Sequence, residues 1–204
     1  MPDLKNVTDT NFCNGQEGRV RDAILATSGK LVHALGGAPV PLQALDNGLT
    51  VVAQGDELPS PGARWRRSLY LRNHRGGNAD ESVTFLKVFD QPVVATNCPC
   101  RRSSAVVLQS LAMLNDEFVV DEAYQFARRV AALATGAQQQ VELAYRLALT
   151  RAPSPQEAEW CEEFLRQQQA NYEAELRPPP DSAQPALASL CRVLFNMSNF
   201  LYVE

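Results

Sequence analysis

The sequence is poor in the residues from which most catalytic and metal sites are built. Only two histidines, His33 and His74, occur in 204 residues, and the five cysteines at positions 13, 98, 100, 161 and 191 form no Cys-x-x-Cys pair. Covalent haem attachment needs Cys-x-x-Cys-His, whereas Cys98-Pro99-Cys100-Arg101-Arg102 has neither the spacing nor the histidine. A zinc site needs four ligands at suitable spacing, and Cys98 with Cys100 is the one close pair. There is no G-x-S-x-G elbow, no phosphate-cradling glycine loop and no helical H-E-x-x-H. No cofactor, metal or catalytic residue is therefore expected. Apolar runs stay well short of the ~20 residues that a membrane span needs, and Met1-Pro2-Asp3-Leu4-Lys5 opens no charged-then-apolar leader. The expectation is a chain without membrane span or signal peptide.

What remains is an ordinary globular composition, 45% hydrophobic and 21% charged with a net charge of −4. Such a length forms one domain or two small ones and buries a core without disulfide or metal staples. An odd number of cysteines leaves at least one thiol free or intermolecular. Cys161 and Cys191 fall on apolar helical stripes and read as core residues, while Cys13 with Cys98 or Cys100 is the next disulfide to consider.

The net charge conceals a division of sign. Residues 1–60 hold 4 Lys/Arg against 7 Asp/Glu, residues 61–102 hold 8 against 3, and residues 103–204 hold 7 against 13. A −4 chain is not a bulk nucleic-acid binder, so no nucleic-acid partner is expected; the +5 segment in the middle is a local basic island.

Hydrophobic periodicity gives a mostly α fold. Residues 1–16 read as a flexible arm and 17–204 as a single domain. Val20, Ile24, Leu25, Leu31, Val32 and Leu35 recur at helical spacing up to Gly36-Gly37, predicting one helix ended by a glycine cap, with His33 on its face in a packing role. Residues 38–63, rich in proline and glycine, read as extended or loop structure. Residues 67–72 alternate as a strand would, and residues 82–89 suit a short helix, so residues 17–102 are expected to form a helix plus a loop and strand region with room for a small β-sheet.

Residues 103–204 are expected to form an antiparallel helical bundle. Ser103/Ser104 cap a helix carrying Val107, Leu108, Leu111 and Leu114, and Asn115/Asp116 cap the next, whose stripe is Val119, Ala123, Phe126, Ala127, Val130 and Leu133 before a stop at Thr135-Gly136. Gln138–Leu149 is a third helix. Ser154-Pro155-Gln156-Glu157 is a capping-box start with proline at the first helical position, followed by the stripe Ala158, Cys161, Phe164, Leu165 and Tyr172. Pro178-Pro179-Pro180 ends that helix, and a last one carries Leu187, Leu190, Cys191 and Leu194.

Several dispersed segments, in order, resemble a planctomycete-type domain of unknown function (number 1553). They are Val20–Leu25 with Ser28-Gly29; Arg66-Arg67-Ser68-Leu69-Tyr70; Phe89-Asp90-Gln91-Pro92; Cys98 and Arg101; Gln109-Ser110-Leu111 with Leu114-Asn115-Asp116 and Phe118; Tyr145–Leu149 with Arg151 and Pro153-Ser154-Pro155; and Phe200–Glu204. The resemblance spans roughly residues 17–204, with Thr150 where a glycine is common and Asn199 where a glutamate is common. It implies a C-terminal domain of a large exported bacterial protein, often fused to cytochrome-c-like domains, hence an extracytoplasmic location and upstream domains of the same protein as partners. It implies no activity.

The candidate site is the basic island. Arg66, Arg67, Arg72, His74, Arg75, Arg101 and Arg102, with Trp65 and Tyr70 interleaved, offer guanidinium forks and stacking rings for an anion or a glycan, so a polysaccharide is the partner under that reading. The competing reading is internal: Arg67 and Arg101 pair with Asp90 and with the acidic helix starts at Asp116 and Asp121, while Gln109 and Asn115 satisfy backbone groups. The expected function is a non-catalytic structural or interaction domain. The alternatives are a carbohydrate-binding module built on residues 64–102 and an accessory part of an enzyme or electron-transfer protein, for which His74, Asp90 and Arg101 would share a pocket.

Overall fold

The computed structural model describes residues 16–72, 83–89, 106–174 and 183–201. The fold is mostly α, a helical bundle with a small two-stranded antiparallel sheet in its N-terminal part. Helix α1 (Gln16–Ser28) leads into strands β1 (Leu42–Ala44) and β2 (Thr50–Val52), paired so that Leu42 faces Val52 and Ala44 faces Thr50. Short 3-10 turns at Gly55–Glu57, Ala63–Trp65 and Ser68–Tyr70 follow, then α2 (Thr84–Lys87). The bundle comprises α3 (Val106–Asn115), α4 (Glu117–Leu133), α5 (Ala137–Leu149), α6 (Pro155–Glu173), α7 (Ala183–Phe195) and the short α8 (Ser198–Leu201).

The connections α3–α4, α4–α5 and α5–α6 are one to five residues long. The first and the last have a local cause. Asp116 accepts a hydrogen bond from the Phe118 N–H (3.0 Å) and so caps α4. Ser154 and Glu157 form the expected capping box, with Glu157 N–H donating to Ser154 Oγ (3.2 Å) and Ser154 N–H to Glu157 Oε2 (2.7 Å). At the end of α5 the chain turns through Thr150 in the left-handed region (φ 58°).

Helix α7 is the hub, packing on α4 and α6 most extensively and also on α3, α5 and α8. Leu187, Leu190, Cys191, Leu194 and Phe195 are buried there, and Phe195 stacks on Phe126 of α4 with ring centroids 5.6 Å apart. One hydrophobic cluster runs from Val20 and Ile24 on α1 through Phe85 and Phe89 to Leu201.

Four local expectations are corrected. Helix α1 stops at Ser28, not at Leu35: Gly29 takes φ 83°, and the Lys30 and Leu31 N–H groups fold back onto the Leu25 carbonyl (2.9 and 3.0 Å). His33 therefore lies beyond the helix and is exposed, as is Leu35. Arg67–Arg72 is not a strand: Ser68–Tyr70 is a 3-10 turn, flanked by single bridges from Val32 to Arg66 and from Val40 to Leu71, and the sheet forms between β1 and β2 instead. Gly136 does not stop α4, which ends at Leu133 with Ala134 as its cap; Gly136 (φ 87°) precedes α5. Finally, α3 presents its leucine-rich face outward. Val107, Leu108, Leu111 and Leu114 are exposed, whereas Met113 and Gln109 point into the core.

Candidate functional site

The basic island meets α1 through a set of charged side chains that face inward. Arg21 lies on the same helical face as Ile24, Leu25 and Ser28, and that face is buried against α4 and the 3-10 turns. Only 2% of Arg21 is exposed. Its guanidinium donates to the carbonyls of Arg64 (2.6 Å) and Arg66 (2.9 Å) and reaches Ser68 Oγ at 3.4 Å, so one α1 side chain satisfies two carbonyls of the irregular segment 64–68. Burial pulls the Arg21 pKa down to about 10, against the opposing pull of Asp22 and Glu122.

Asp22 is the acidic counterpart. Its carboxylate accepts from the Ser68 N–H and Ser68 Oγ–H, both at 2.7 Å, and from Arg67 Nε at 3.3 Å, with Arg21 Nη1 3.8 Å away. The acid that pairs with Arg67 is thus Asp22 on α1, while Asp116 is occupied as the α4 cap.

Arg66 is 5% exposed and turns away from α1. It donates to the carbonyls of Ala38 (2.9 Å), Ala34 (3.5 Å) and Gly36, and its guanidinium lies 3.9 Å from the centroid of the Tyr70 ring. The Tyr70 hydroxyl in turn accepts from the Gly36 N–H at 3.2 Å. Gly36 and Gly37 both have positive φ (70° and 89°), which lets the backbone curl its carbonyls around the guanidinium.

A third arginine completes the attachment. Arg129 of α4 donates to the carbonyls of Ala26 (3.0 Å) and Thr27 (2.7 Å) in the last turn of α1, the Ala26 carbonyl also accepting from the Gly29 N–H (3.2 Å). A cation there also complements the negative end of the helix dipole. Close by, Glu122 of α4 is 5% exposed with its Oε2 lacking a hydrogen-bond partner; burial raises its pKa, against Ser28, Lys30, Arg64 and Arg21, which lower it.

Of the residues singled out from the sequence, the structure brings Arg66, Arg67 and Tyr70 together. Arg66 is buried, Tyr70 half-buried, Arg67 part-exposed and Arg72 exposed. Gln109 is buried on α3, and Asn115 is exposed at the end of that helix, its Nδ2 donating to the Leu111 carbonyl at 3.0 Å. His74, Asp90, Arg101 and Arg102, with Arg75, Cys13, Cys98 and Cys100, lie outside the described residues. Cys161 and Cys191 are buried free thiols, both pushed up by burial, and Cys161 Sγ lies 3.6 Å from the Tyr145 hydroxyl. Among the described residues no cluster of three His, Cys, Asp or Glu side chains suits a metal, and no helix is long and apolar enough to cross a membrane.

Sequence reasoning about the island missed Arg21, Asp22, Glu122 and Arg129. A signal was present for two of them. Arg21 shares a face with Ile24 and Leu25, and Glu122 sits in the stripe of Val119, Ala123 and Phe126; a charge on an apolar stripe announces a buried partner.

A family model described as "Protein of unknown function (DUF1553)" matches residues 16–165, from the first turn of α1 into α6. The match takes in most of the chain, and the chain belongs to this family. No curated protein and no solved structure matches it.

Proposed function

We propose that this member of the family is a non-catalytic structural and interaction domain of a larger exported bacterial protein, and that its partner is the upstream part of that same protein. The observation that supports this best is the direction in which the functional-looking charges are turned. Arg21, Asp22 and Arg66 are buried and hydrogen-bonded to the chain's own backbone: Arg21 and Asp22 fasten residues 64–68 to α1, and Arg66 ties residues 34–38 to the same stretch. Hydrogen bonds to charged groups stabilise by roughly 1.5–3 kcal/mol each. Such side chains act as staples, with the terminal nitrogens of both arginines on backbone carbonyls. The interaction half of the reading is supported by α3, which carries no charge and exposes Val107, Leu108, Leu111 and Leu114 together.

The test compares amide hydrogen exchange of residues 106–115 in the isolated chain and in the full-length protein. Added protection of α3 in the longer protein is the expected result, and Leu108→Asp with Leu111→Asp should abolish it. Equal exchange in both proteins would retire the interaction reading.

A further inference from the structure

One group of cations is not taken up by the staples. Lys30 Nζ and the Arg64 guanidinium both lie 5.3 Å from the ring of Trp65. All three side chains are half-buried. The ring is held by its backbone, since the Trp65 carbonyl accepts from Val32 N–H (3.0 Å) and the Trp65 N–H donates to Gly62 O (3.0 Å). Arg64 is fixed by its carbonyl, which takes the 2.6 Å hydrogen bond from Arg21. Lys30 is fixed by its N–H, bonded to the Leu25 carbonyl at the end of α1.

Two like charges on one aromatic ring repel, and partial burial makes that repulsion stronger than in water. Elsewhere in this segment the charges are matched, as Arg67 is to Asp22. Among the described residues, no carboxylate lies within ion-pair distance of Lys30 or Arg64. The nearby acid, Glu122, attracts Lys30, Arg64 and Arg21 alike without a hydrogen bond from its Oε2, so one carboxylate faces three cations and the group stays net positive. A backbone-fixed aromatic with two cations that no described carboxylate reaches at ion-pair distance is an arrangement completed by an anion from outside.

We propose that Lys30, Arg64 and Trp65 form an oxyanion-binding site, accepting a sulfate, phosphate or carboxylate group carried by a ligand. The site is distinct from the stapled Arg66 and Arg67, and it goes beyond the structural role above. The Arg64 fork takes two oxygens of the anion, Lys30 supplies the second charge, and Trp65 keeps both cations in place and reports on them.

The test uses fluorescence. Trp160 is the other tryptophan and lies exposed on α6, so Trp160→Phe leaves Trp65 as the sole indole emitter. Titration of that variant with sodium sulfate, sodium phosphate and sodium acetate, each at ionic strength held constant with sodium chloride, should give a saturable emission change for at least one anion. The strongest of the three identifies the group. Adding Lys30→Met and Arg64→Gln, which keep the side-chain stems, should weaken that binding at least tenfold, while Arg146→Ala on the distant helix α5 should leave it unchanged. Should the double variant unfold, Arg64→Lys, which keeps the charge without the fork, must still bind more weakly than its parent. A linear response, one that chloride reproduces, or one untouched by these substitutions would overturn the proposal. None of these outcomes bears on hydrogen exchange in α3, so the two readings stand or fall separately.

Discussion

The guanidinium of Arg66 lies 3.9 Å from the centroid of the Tyr70 ring, and the two side chains grip the same glycine turn from either end of a four-residue step. Arg66 takes the carbonyls of Ala34, Gly36 and Ala38, and the Tyr70 hydroxyl takes the Gly36 N–H. A lysine in place of Arg66 has the charge but neither the planar fork nor the stacking face. Arg66→Lys should lose about 2 kcal/mol or more in urea unfolding, whereas Tyr70→Phe, which removes one exposed hydrogen bond, should lose about 1 kcal/mol or less. Equal losses would show that the fork is not what holds the turn.

Helix α3 predicts an inverted mutational pattern. Met113 is fully buried, so Met113→Ala should cost about 2–5 kcal/mol through the lost contacts and the cavity left behind. Leu111, on the same helix and apolar like it, is 55% exposed, and Leu111→Ala should change the stability of the isolated chain by less than about 0.5 kcal/mol. Thermal unfolding of the two variants side by side checks this. A costly Leu111→Ala would mean that the outer face is covered.

Glu122 gives a pH dependence whose sign follows from its burial. Its carboxyl holds a proton more tightly in the folded chain than the ordinary 4.5. The stability it contributes is therefore full below 4.5 and declines as pH rises through that value to the raised one. Glu122→Gln keeps the shape and removes the titration. The variant should gain on the wild type between pH 4 and pH 7 in urea unfolding; a constant or shrinking difference would contradict the assignment.

The start of α6 has the opposite sign. The Arg151 guanidinium, then the Ser154 N–H, hold the Glu157 carboxyl down at about 2, with both Arg151 contacts at 2.7 Å. That contribution is present above the ordinary 4.5 and fades as pH falls from there towards about 2. Glu157→Gln should flatten this part of the acid unfolding curve, and Ser154→Ala, which removes the cap, should cost about 1 kcal/mol at neutral pH.

Thr150 is the one described non-glycine residue with positive φ. A β-branched side chain in the left-handed region is strained by roughly 1–2 kcal/mol, only partly offset by its Oγ1 hydrogen bond to the Leu149 carbonyl (2.7 Å). Thr150→Gly should raise stability by about 1 kcal/mol in thermal unfolding.

Much of the bundle was legible because its signals are local. The capping box at Ser154, the Asp116 cap and the stripes of α4 and α7 depend on residues two to four apart, and the structure contains them, except that Leu133 at the end of the α4 stripe is exposed. The failures share a cause as well. Leu31, Val32 and Leu35 keep a helical spacing, yet Gly29 stops the helix and the following chain is drawn to Trp65 and Arg66 instead. The leucines of α3 have the pattern of a buried face, but which side of a helix is covered depends on what packs there, and α4 and α7 take the side with Met113 and Gln109.

The sequence by itself determined a mostly α chain, its later helix starts, the family resemblance and a basic island between acidic flanks, because composition and short-range periodicity suffice for these. Only the tertiary structure decided where the charges go. Arg66 turns onto a glycine turn some thirty residues earlier, Arg67 onto Asp22 of α1, and Arg129 onto the end of the same helix about a hundred residues away. Arginine carries long reach and no directional preference along the chain, so its partner is fixed by which backbone carbonyls and carboxylates the packed helices leave unsatisfied nearby.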